Sequence, residues 1–191
     1  MKSRIFAIAA LASFVPLAGA LAEEPHVAPI MALVESLVRP ALSDPAIVSA
    51  IVAQNARTAA LTEAEILELD KQWRAEVDAA ERPLVSEVMG NALSDVLTRM
   101  RDEAGGVFTE IFVMDARGLN VGQSDLTSDY WQGDEAKWQK TFLVGPDAVF
   151  VDEIEVDEST QALQSQVSLS IADESGAPVG AITLGVDVDA L

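Results

Sequence analysis

The residues best able to do chemistry lie in one short segment, because the only tyrosine and two of the three tryptophans fall between Tyr130 and Trp138. Trp131 and Trp138 are seven positions apart, so on a helix they would share one face, with Asp134 between them. Aromatic faces attract cations, and carboxylates accept charge-assisted hydrogen bonds from amines. The segment therefore predicts a site for an amine-bearing or cationic small molecule. The alternative is that the rings only cover a hydrophobic core.

A further carboxylate, Asp152, falls in a predicted strand, on the same face as Phe150 and Ile154 if the strand is regular. A carboxylate on an apolar face needs a partner. We expect either Arg117 or Lys137, a bound ligand, or an exposed position at an edge. The predicted ligand-binding residues are thus Tyr130, Trp131, Asp134, Trp138 and Asp152.

The inventory of reactive side chains argues against an enzyme. The chain has no cysteine and a single histidine, His26. Thiolate chemistry is excluded, and a serine triad has no well-placed base. No segment matches a calcium-binding loop. We predict no catalytic residues, no metal and no cofactor. A pair of carboxylates for glycoside hydrolysis, which is recognised by separation in space, is the remaining enzymatic alternative.

The elements that would position these residues begin with helices over residues 23 to 104. Pro40 is expected to end the first helix, and Asp44 should cap the second. Thr62 and Glu65 have the spacing of a capping box, which predicts a helix from residue 63. A further apolar stripe runs from Pro83 to the Gly105-Gly106 pair and predicts one long helix or a kinked pair.

After the two glycines the apolar period changes from helical to alternating. Strands are predicted at residues 107–115, 119–124, 149–156, 163–171 and 179–188. Residues 129–142 break the alternation and contain good helix formers, so a helical insert is expected there, and a polar turn is expected at residues 157–160. Helices followed by strands indicate an α+β fold.

Two motifs carry a resemblance to a known family. They are Met114-Asp115-Ala116-Arg117-Gly118-Leu119-Asn120-Val121 and Asp129-Tyr130-Trp131-Gln132-Gly133-Asp134. The first resembles the D-x-x-G hairpin of the periplasmic PAS-like sensors called Cache or PDC domains, and the second resembles their aromatic insert. The resemblance implies an N-terminal helical arm packed on a five-stranded antiparallel sheet. The resemblance covers residues 61–191, which are predicted to be the sensor domain. Residues 23–60 are predicted to be an N-terminal helical segment, and residues 1–22 a signal peptide.

The same resemblance implies a function. Such domains bind small molecules outside the cytoplasm, and the aromatic insert lines their pocket. We therefore expect an extracytoplasmic sensing domain without enzymatic activity, which passes its signal to a separate envelope receptor protein. The alternative is an accessory protein that binds another envelope protein through its helical arm and has no small ligand.

The first 22 residues have the organisation of an export signal, with Lys2 and Arg4 before an apolar run and Ala20 and Ala22 at an A-x-A site. A retained membrane anchor is the alternative. Of 12 Lys+Arg and 31 Asp+Glu, the leader holds two basic residues and no acid, so removing it leaves a net charge of −21. Such a chain should not bind nucleic acid. We expect a periplasmic or secreted protein with no membrane span after cleavage.

The leader yields the first testable prediction. Signal peptidase should cut after Ala22, because small residues occupy positions 20 and 22 and the acidic pair that follows ends the apolar run. Mass spectrometry of the exported protein should find Glu23 as the first residue. A membrane-bound product that retains Met1 would place the protein in the anchored class.

Overall fold

The computed structural model describes residues 24–42, 44–156 and 163–191. The predicted leader and the turn expected at residues 157–160 lie outside these ranges. The first half is helical: α1 (Val27–Leu33), a π-helical turn (Val34–Val38), α2 (Arg39–Ala41), α3 (Pro45–Thr58), α4 (Glu63–Glu76), α5 (Pro83–Met89) and α6 (Ala92–Glu103). The second half contains β1 (Phe108–Met114), β2 (Asn120–Gln123), α7 (Ala136–Gln139), β3 (Val149–Val156), β4 (Leu163–Ala172), β5 (Pro178–Asp187) and a final 3-10 turn (Val188–Ala190).

The five strands form one antiparallel sheet in the order β2-β1-β5-β4-β3. The predicted α+β fold with an N-terminal helical arm on a five-stranded antiparallel sheet is confirmed. The last strand in sequence occupies the centre, where it pairs with both β1 and β4. A central strand is covered on both faces, and eight consecutive residues of β5 are accordingly buried.

One face of the sheet packs against the helices and forms the main core. Its strand residues alternate along β1, β4 and β5, and apolar side chains of α1, the π-helical turn, α3 and α6 cover them. The buried helical residues are Ile30, Val34, Val38, Ile47, Ile51, Leu93 and Leu97. The helical arm therefore packs onto the sheet of its own chain.

The helix starts follow the predicted capping signals. Asp44 accepts a hydrogen bond from the backbone N–H of Ala46, and Thr62 and Glu65 form a reciprocal capping box. The expected stop at Pro40 is wrong, since helical backbone continues through the π-helical turn into α2. In this turn Arg39 donates to the carbonyl of Val34, five residues back. The wider turn just before the proline relieves the clash of its ring with the preceding turn.

The apolar stripe after Pro83 forms two separate helices, α5 and α6, instead of one long helix. The break falls at Gly90-Asn91, where Asn91 has extended backbone and accepts a hydrogen bond from the N–H of Ser94. An N-cap at this point starts a new helix in a new direction. The sequence signal for the break was therefore a cap residue inside an otherwise continuous apolar pattern.

The helical insert predicted at residues 129–142 is wrong for most of its length, because only Ala136–Gln139 is α-helical. The residues before it instead lie along the β1–β2 hairpin. Trp131 forms an isolated bridge with Leu119, and the backbone N–H of Gln132 donates to the carbonyl of Gly118. These backbone pairs compete with helix formation, so Trp131 and Trp138 do not share a helix face.

Among the described residues, no single helix has the length and hydropathy needed to cross a bilayer. Only the pair Val27–Ala41 and Pro45–Thr58, joined across a 79° bend, passes that test together.

The hairpin between β1 and β2 needs glycine at position 118, where φ is +79° and an added Cβ would lie 2.6 Å from backbone atoms of Gly133. Gly176 has a similar φ of +83° but open space around it. Both alanine variants should carry the strain of positive φ, about 1 to 3 kcal/mol. Gly118→Ala should cost about 1 to 3 kcal/mol more, because the backbones must also separate. Urea denaturation of the two variants measures the difference, and equal losses would contradict the close approach.

Candidate functional site

The second face of the sheet carries a cavity of about 630 Å³ between the strands and the segment that follows β2. Its floor is formed by β1 and β4, one side by the end of β3, and its wall by residues 125–137. The lining residues are Thr109, Glu110, Phe112, Asp125, Leu126, Thr127, Ser128, Asp129, Gln132, Glu135, Lys137, Glu155, Val156, Gln164 and Gln166. This is the candidate site.

The floor is a connected polar network between β1 and β4, the two strands that flank β5. Gln164 and Gln166 both donate side-chain N–H groups to the same carboxylate oxygen of Glu110, at 3.2 and 2.9 Å. Thr109 donates to the amide oxygen of Gln164. Gly185 on β5 leaves room for this network, because an added Cβ would lie 2.3 Å from Oγ1 of Thr109. The carboxylate of Glu110 is thereby held in a fixed position on the sheet.

The charges that line the cavity are mostly negative, with five carboxylates and one lysine. Three of the carboxylates have cationic partners: Asp125 pairs with Arg101, Asp129 with Arg74 and Glu135 with Lys137. Glu110 accepts hydrogen bonds from two glutamine amides, and Glu155 is exposed. The cavity therefore has a negative field that favours a cation.

A smaller cavity of about 300 Å³ adjoins the first and shares Glu135, Lys137, Glu155, Gln164 and Gln166 with it. It extends the site toward β3, where Asp152 and Glu153 also line it. The amine of Lys137, which lines both spaces, lies 2.8 Å from the carboxylate of Glu135 and 5.4 Å from the ring centroid of Phe112.

Helix α4 holds the wall of the main cavity in place. The buried carboxylate of Asp70 accepts hydrogen bonds from the backbone N–H groups of Tyr130 and Trp131, both at 3.0 Å. Arg74 donates to the other oxygen of Asp70 and also pairs with Asp129. The hydrogen bond to Asp70, followed by the charge of Asp129, raises the pKa of the Arg74 guanidinium.

Two of the predicted site residues, Tyr130 and Trp131, help to hold the wall in place and do not line the cavity. Tyr130 is buried and stacks on Trp73, with ring centroids 5.4 Å apart. Burial, followed by the charge of Asp115, raises the pKa of the Tyr130 phenol. The indole N–H of Trp131 donates to the carbonyl of Arg117 at 2.8 Å, which ties the wall to the hairpin.

The other two predicted residues of the insert also lie outside the lining. Trp138 packs against Phe112 and Met114, and its indole N–H donates to the backbone carbonyl of Asp115 at 3.1 Å. Asp134 is exposed. The structure thus gives the aromatic side chains packing contacts, and binding by these four residues stays a prediction.

Asp152 lines the smaller cavity, whereas the four predicted residues of the insert line neither cavity of the candidate site. The expectation of a regular strand is wrong, because the pairing of β3 with β4 shifts between Val151 and Ile154. At this irregularity the backbone carbonyl of Asp152 accepts from Nε2 of His26 at 3.0 Å and from Ser165 at 2.8 Å. The start of α1 is thereby tied to the sheet edge.

The residues that dominate the cavity were not singled out from the sequence. Glu110, Gln132 and Glu155 are isolated polar residues in or beside predicted elements. Gln164 and Gln166 had the clearer signal, since they lie on the polar face of a strand whose other face is core. That face is not open to solvent, because the insert covers it.

Within residues 24–42, 44–156 and 163–191, no three histidine, aspartate or glutamate side chains are arranged to hold a metal ion.

No protein-family model matches the chain, and no curated protein matches it. Several solved structures resemble it in fold. The ligand-binding domain of the Campylobacter jejuni chemoreceptor Tlp3, in complex with 4-methylisoleucine, matches with a TM-score of 0.41 at 12% identity, over 80% of this chain and 60% of that one. The extracellular domain of a histidine kinase, rpHK1S-Z16, matches with a TM-score of 0.42 at 11% identity, over 49% of this chain and 39% of that one.

The ligand-binding domain of the Pseudomonas aeruginosa PAO1 amino acid chemoreceptor PctC, in complex with GABA, matches with a TM-score of 0.37 at 15% identity, over 63% of this chain and 50% of that one. This chain thus covers 39% to 60% of the length of the three domains. Two of them are ligand-binding domains of chemoreceptors, and one is the extracellular domain of a histidine kinase. At these identities the likeness concerns the fold.

The contacts of α4 yield a prediction about the wall. Asp70→Ala removes a buried acceptor of two backbone N–H groups and the partner of Arg74, so it should cost about 3 kcal/mol or more. Asp134→Ala removes an exposed carboxylate of the same insert and should change the free energy of unfolding by less than about 0.5 kcal/mol. Urea denaturation at neutral pH measures the free energy of unfolding of both variants. Similar small losses would show that α4 does not hold the wall.

Proposed function

We propose that this protein is an extracytoplasmic sensing domain that binds a small amine-bearing or cationic molecule in the 630 Å³ cavity. The observation that carries the proposal is the carboxylate of Glu110, fixed on the floor by the amides of Gln164 and Gln166. A carboxylate that hydrogen bonds hold in place can receive the N–H groups of a ligand without rearrangement of the floor. The site is therefore preorganised for a cation.

The size and burial of the site suit a small metabolite. A volume of this order is typical of ligand pockets. Phe112 on the floor is apolar and almost fully buried, at 2% exposure, while the surrounding groups are carboxylates and amides. Such a lining gives a ligand one charged anchor and a limited apolar contact.

The cavity is placed where a ligand could affect the rest of the fold. Its wall is held by α4, and its smaller extension reaches Asp152, whose carbonyl bonds to His26 beside α1. A ligand that draws Glu110 and the wall together would shift the population of the positions these helices adopt. We propose that a separate envelope protein reads this change at the helical arm.

We further propose that the domain is not an enzyme. The described lining of the cavity has carboxylates, amides and hydroxyl groups but no histidine that could activate a nucleophile. Export to the periplasm or beyond, after removal of the leader, is part of the same proposal.

The accessory-protein alternative receives less support from the packing. It requires an apolar face of the helical arm for the partner, but Ile30, Val34, Ile47 and Ile51 are at most 1% exposed, in the core under the sheet. That face is occupied within the chain.

The test is a binding titration of the chain from residue 23 onward with a panel of amino acids, simple amines and quaternary ammonium ions, with dicarboxylates as anionic counterparts. At least one cation should raise the melting temperature, and the anions should not. Glu110→Gln should then weaken the active cation by about 1.5 to 3 kcal/mol, because a hydrogen bond to a charged acceptor becomes a neutral one.

Glu81→Gln is the matched control, since Glu81 is exposed in the segment between α4 and α5 and does not line the cavity. The Glu81→Gln variant should bind the active cation with the affinity of the wild type. Equal affinity in Glu110→Gln, or a panel in which only anions bind, would refute the assignment of the cavity to cations.

A further inference from the structure

The two edges of the sheet are covered to different degrees. At the β2 edge, helical residues supply partners for the backbone of the strand. The side chain of Asn91 donates to the carbonyl of Val121, and Ser94 Oγ accepts a hydrogen bond from the N–H of Gln123. All four residues of β2 are buried. This edge is therefore closed to a further strand.

The β3 edge is open by comparison. In an antiparallel pair every second residue directs its N–H and carbonyl away from the neighbouring strand, and β3 is the last strand on its side of the sheet. At its irregularity, His26 bonds to the carbonyl of Asp152, and the side chain of Asp152 accepts from the N–H of Glu153. Beyond that point, no helix or loop group within the described ranges bonds to the backbone of residues 154–156.

The side chains of this open part alternate between acidic and apolar. Ile154 and Val156 are 39% and 55% exposed, and Leu163, which pairs with Val156 from β4, is 41% exposed. Glu153 and Glu155 are exposed as well. Successive side chains of a strand point to opposite faces, so one face of this edge is apolar and the other is acidic. An exposed apolar edge is a template for pairing with another chain.

Charge decides which chain fits this edge. A second copy would pair about a two-fold axis, and an axis at Ile154 would place Glu153 of one copy opposite Glu155 of the other. Like charges directly opposite each other destabilise a strand pair. Lys137, which lines the smaller cavity beside the edge, is paired with Glu135 and does not offset these charges. The edge therefore favours a different chain that brings basic side chains.

We propose that the exposed edge of β3 pairs with an extended segment of a partner protein, in which lysine or arginine alternates with apolar residues. The basic side chains lie against Glu153 and Glu155, and the apolar ones lie against Ile154 and Val156. Backbone hydrogen bonds of the added strand supply affinity, and the alternating side chains supply specificity. This inference goes beyond the proposed function, because the pairing requires no bound cation.

The test uses synthetic peptides and the chain from residue 23 onward, with no small cation added. One peptide is Val-Lys-Val-Lys-Val-Lys-Val with blocked ends, and its counterpart has glutamate at each lysine position. ¹⁵N–¹H correlation spectra measure the affinity and identify the residues that the peptide contacts. The lysine peptide should shift the signals of β3, residues 149–156, and should bind at least about 5-fold more tightly than the glutamate peptide, because the latter meets the two carboxylates with like charge.

Two N-methylated forms of the lysine peptide test the strand pairing itself. Successive residues of a strand direct their N–H groups to opposite edges, so methylation of the lysine nitrogens blocks one edge of the peptide and methylation of the valine nitrogens blocks the other. One form should lose affinity by about 10-fold or more, because it lacks the N–H groups that face β3. The other form should bind like the parent peptide.

A double variant, Glu153→Gln with Glu155→Gln, tests the acidic face. Both side chains are exposed, so the fold should persist, and the affinity for the lysine peptide should fall by about 3- to 10-fold. The matched control is Glu81→Gln with Glu103→Gln. It changes the net charge equally at two exposed positions in the helical half of the chain, and it should leave the affinity unchanged.

The outcomes that would overturn the proposal concern the edge alone. They are failure of the lysine peptide to bind, equal affinities of the lysine and glutamate peptides, equal affinities of the two N-methylated forms, and signal shifts that avoid β3. Sedimentation of the free chain as a dimer with its contact at β3 would also overturn it, because a second copy would then occupy the edge. None of these results affects the cation site, which is tested with different ligands and with Glu110→Gln.

Discussion

The fully buried carboxylate of Asp115 is the interaction on which the geometry of the site depends. One of its oxygens accepts hydrogen bonds from the backbone N–H groups of Arg117 and Leu119. The other oxygen accepts hydrogen bonds from the side chains of Gln54 and Thr58. An unpaired charge in this position would be prohibitively costly, so the four donors must be in place together. The requirement fixes the β1–β2 turn and attaches it to α3.

The β1–β2 turn also fixes the segment that forms the wall of the cavity. Gly118 approaches Gly133 so closely that no side chain fits between them, and the carbonyl of Arg117 receives the indole N–H of Trp131. From the other side Asp70 on α4 binds the backbone at residues 130 and 131. Two buried carboxylates on different parts of the chain, Asp115 and Asp70, thus hold an irregular segment in place as the wall of the cavity.

Charge then decides what such a site can attract. The whole chain has a formal net charge of −19, and most of these acids are surface groups that keep it hydrated. The carboxylates that line the cavity differ from one another in their partners. Some are paired with arginine or lysine and belong to the wall, whereas Glu110 on the floor accepts hydrogen bonds from the amides of Gln164 and Gln166.

The sequence by itself determined the α+β order, the capping of α3 and α4 and the positions of the five strands, because periodicity, caps and turn residues act over a few neighbouring positions. The prediction of an amine-bearing or cationic ligand came from aromatic side chains that the structure packs into the core and the support of the wall. Only the tertiary structure decided that residues 129–135 follow the hairpin instead of forming a helix, since Asp70 and Gly118 act on them from distant parts of the chain. It alone brought Glu110, Gln132 and Gln164 to one cavity, because strand order and register, which no local pattern encodes, set which side chains become neighbours.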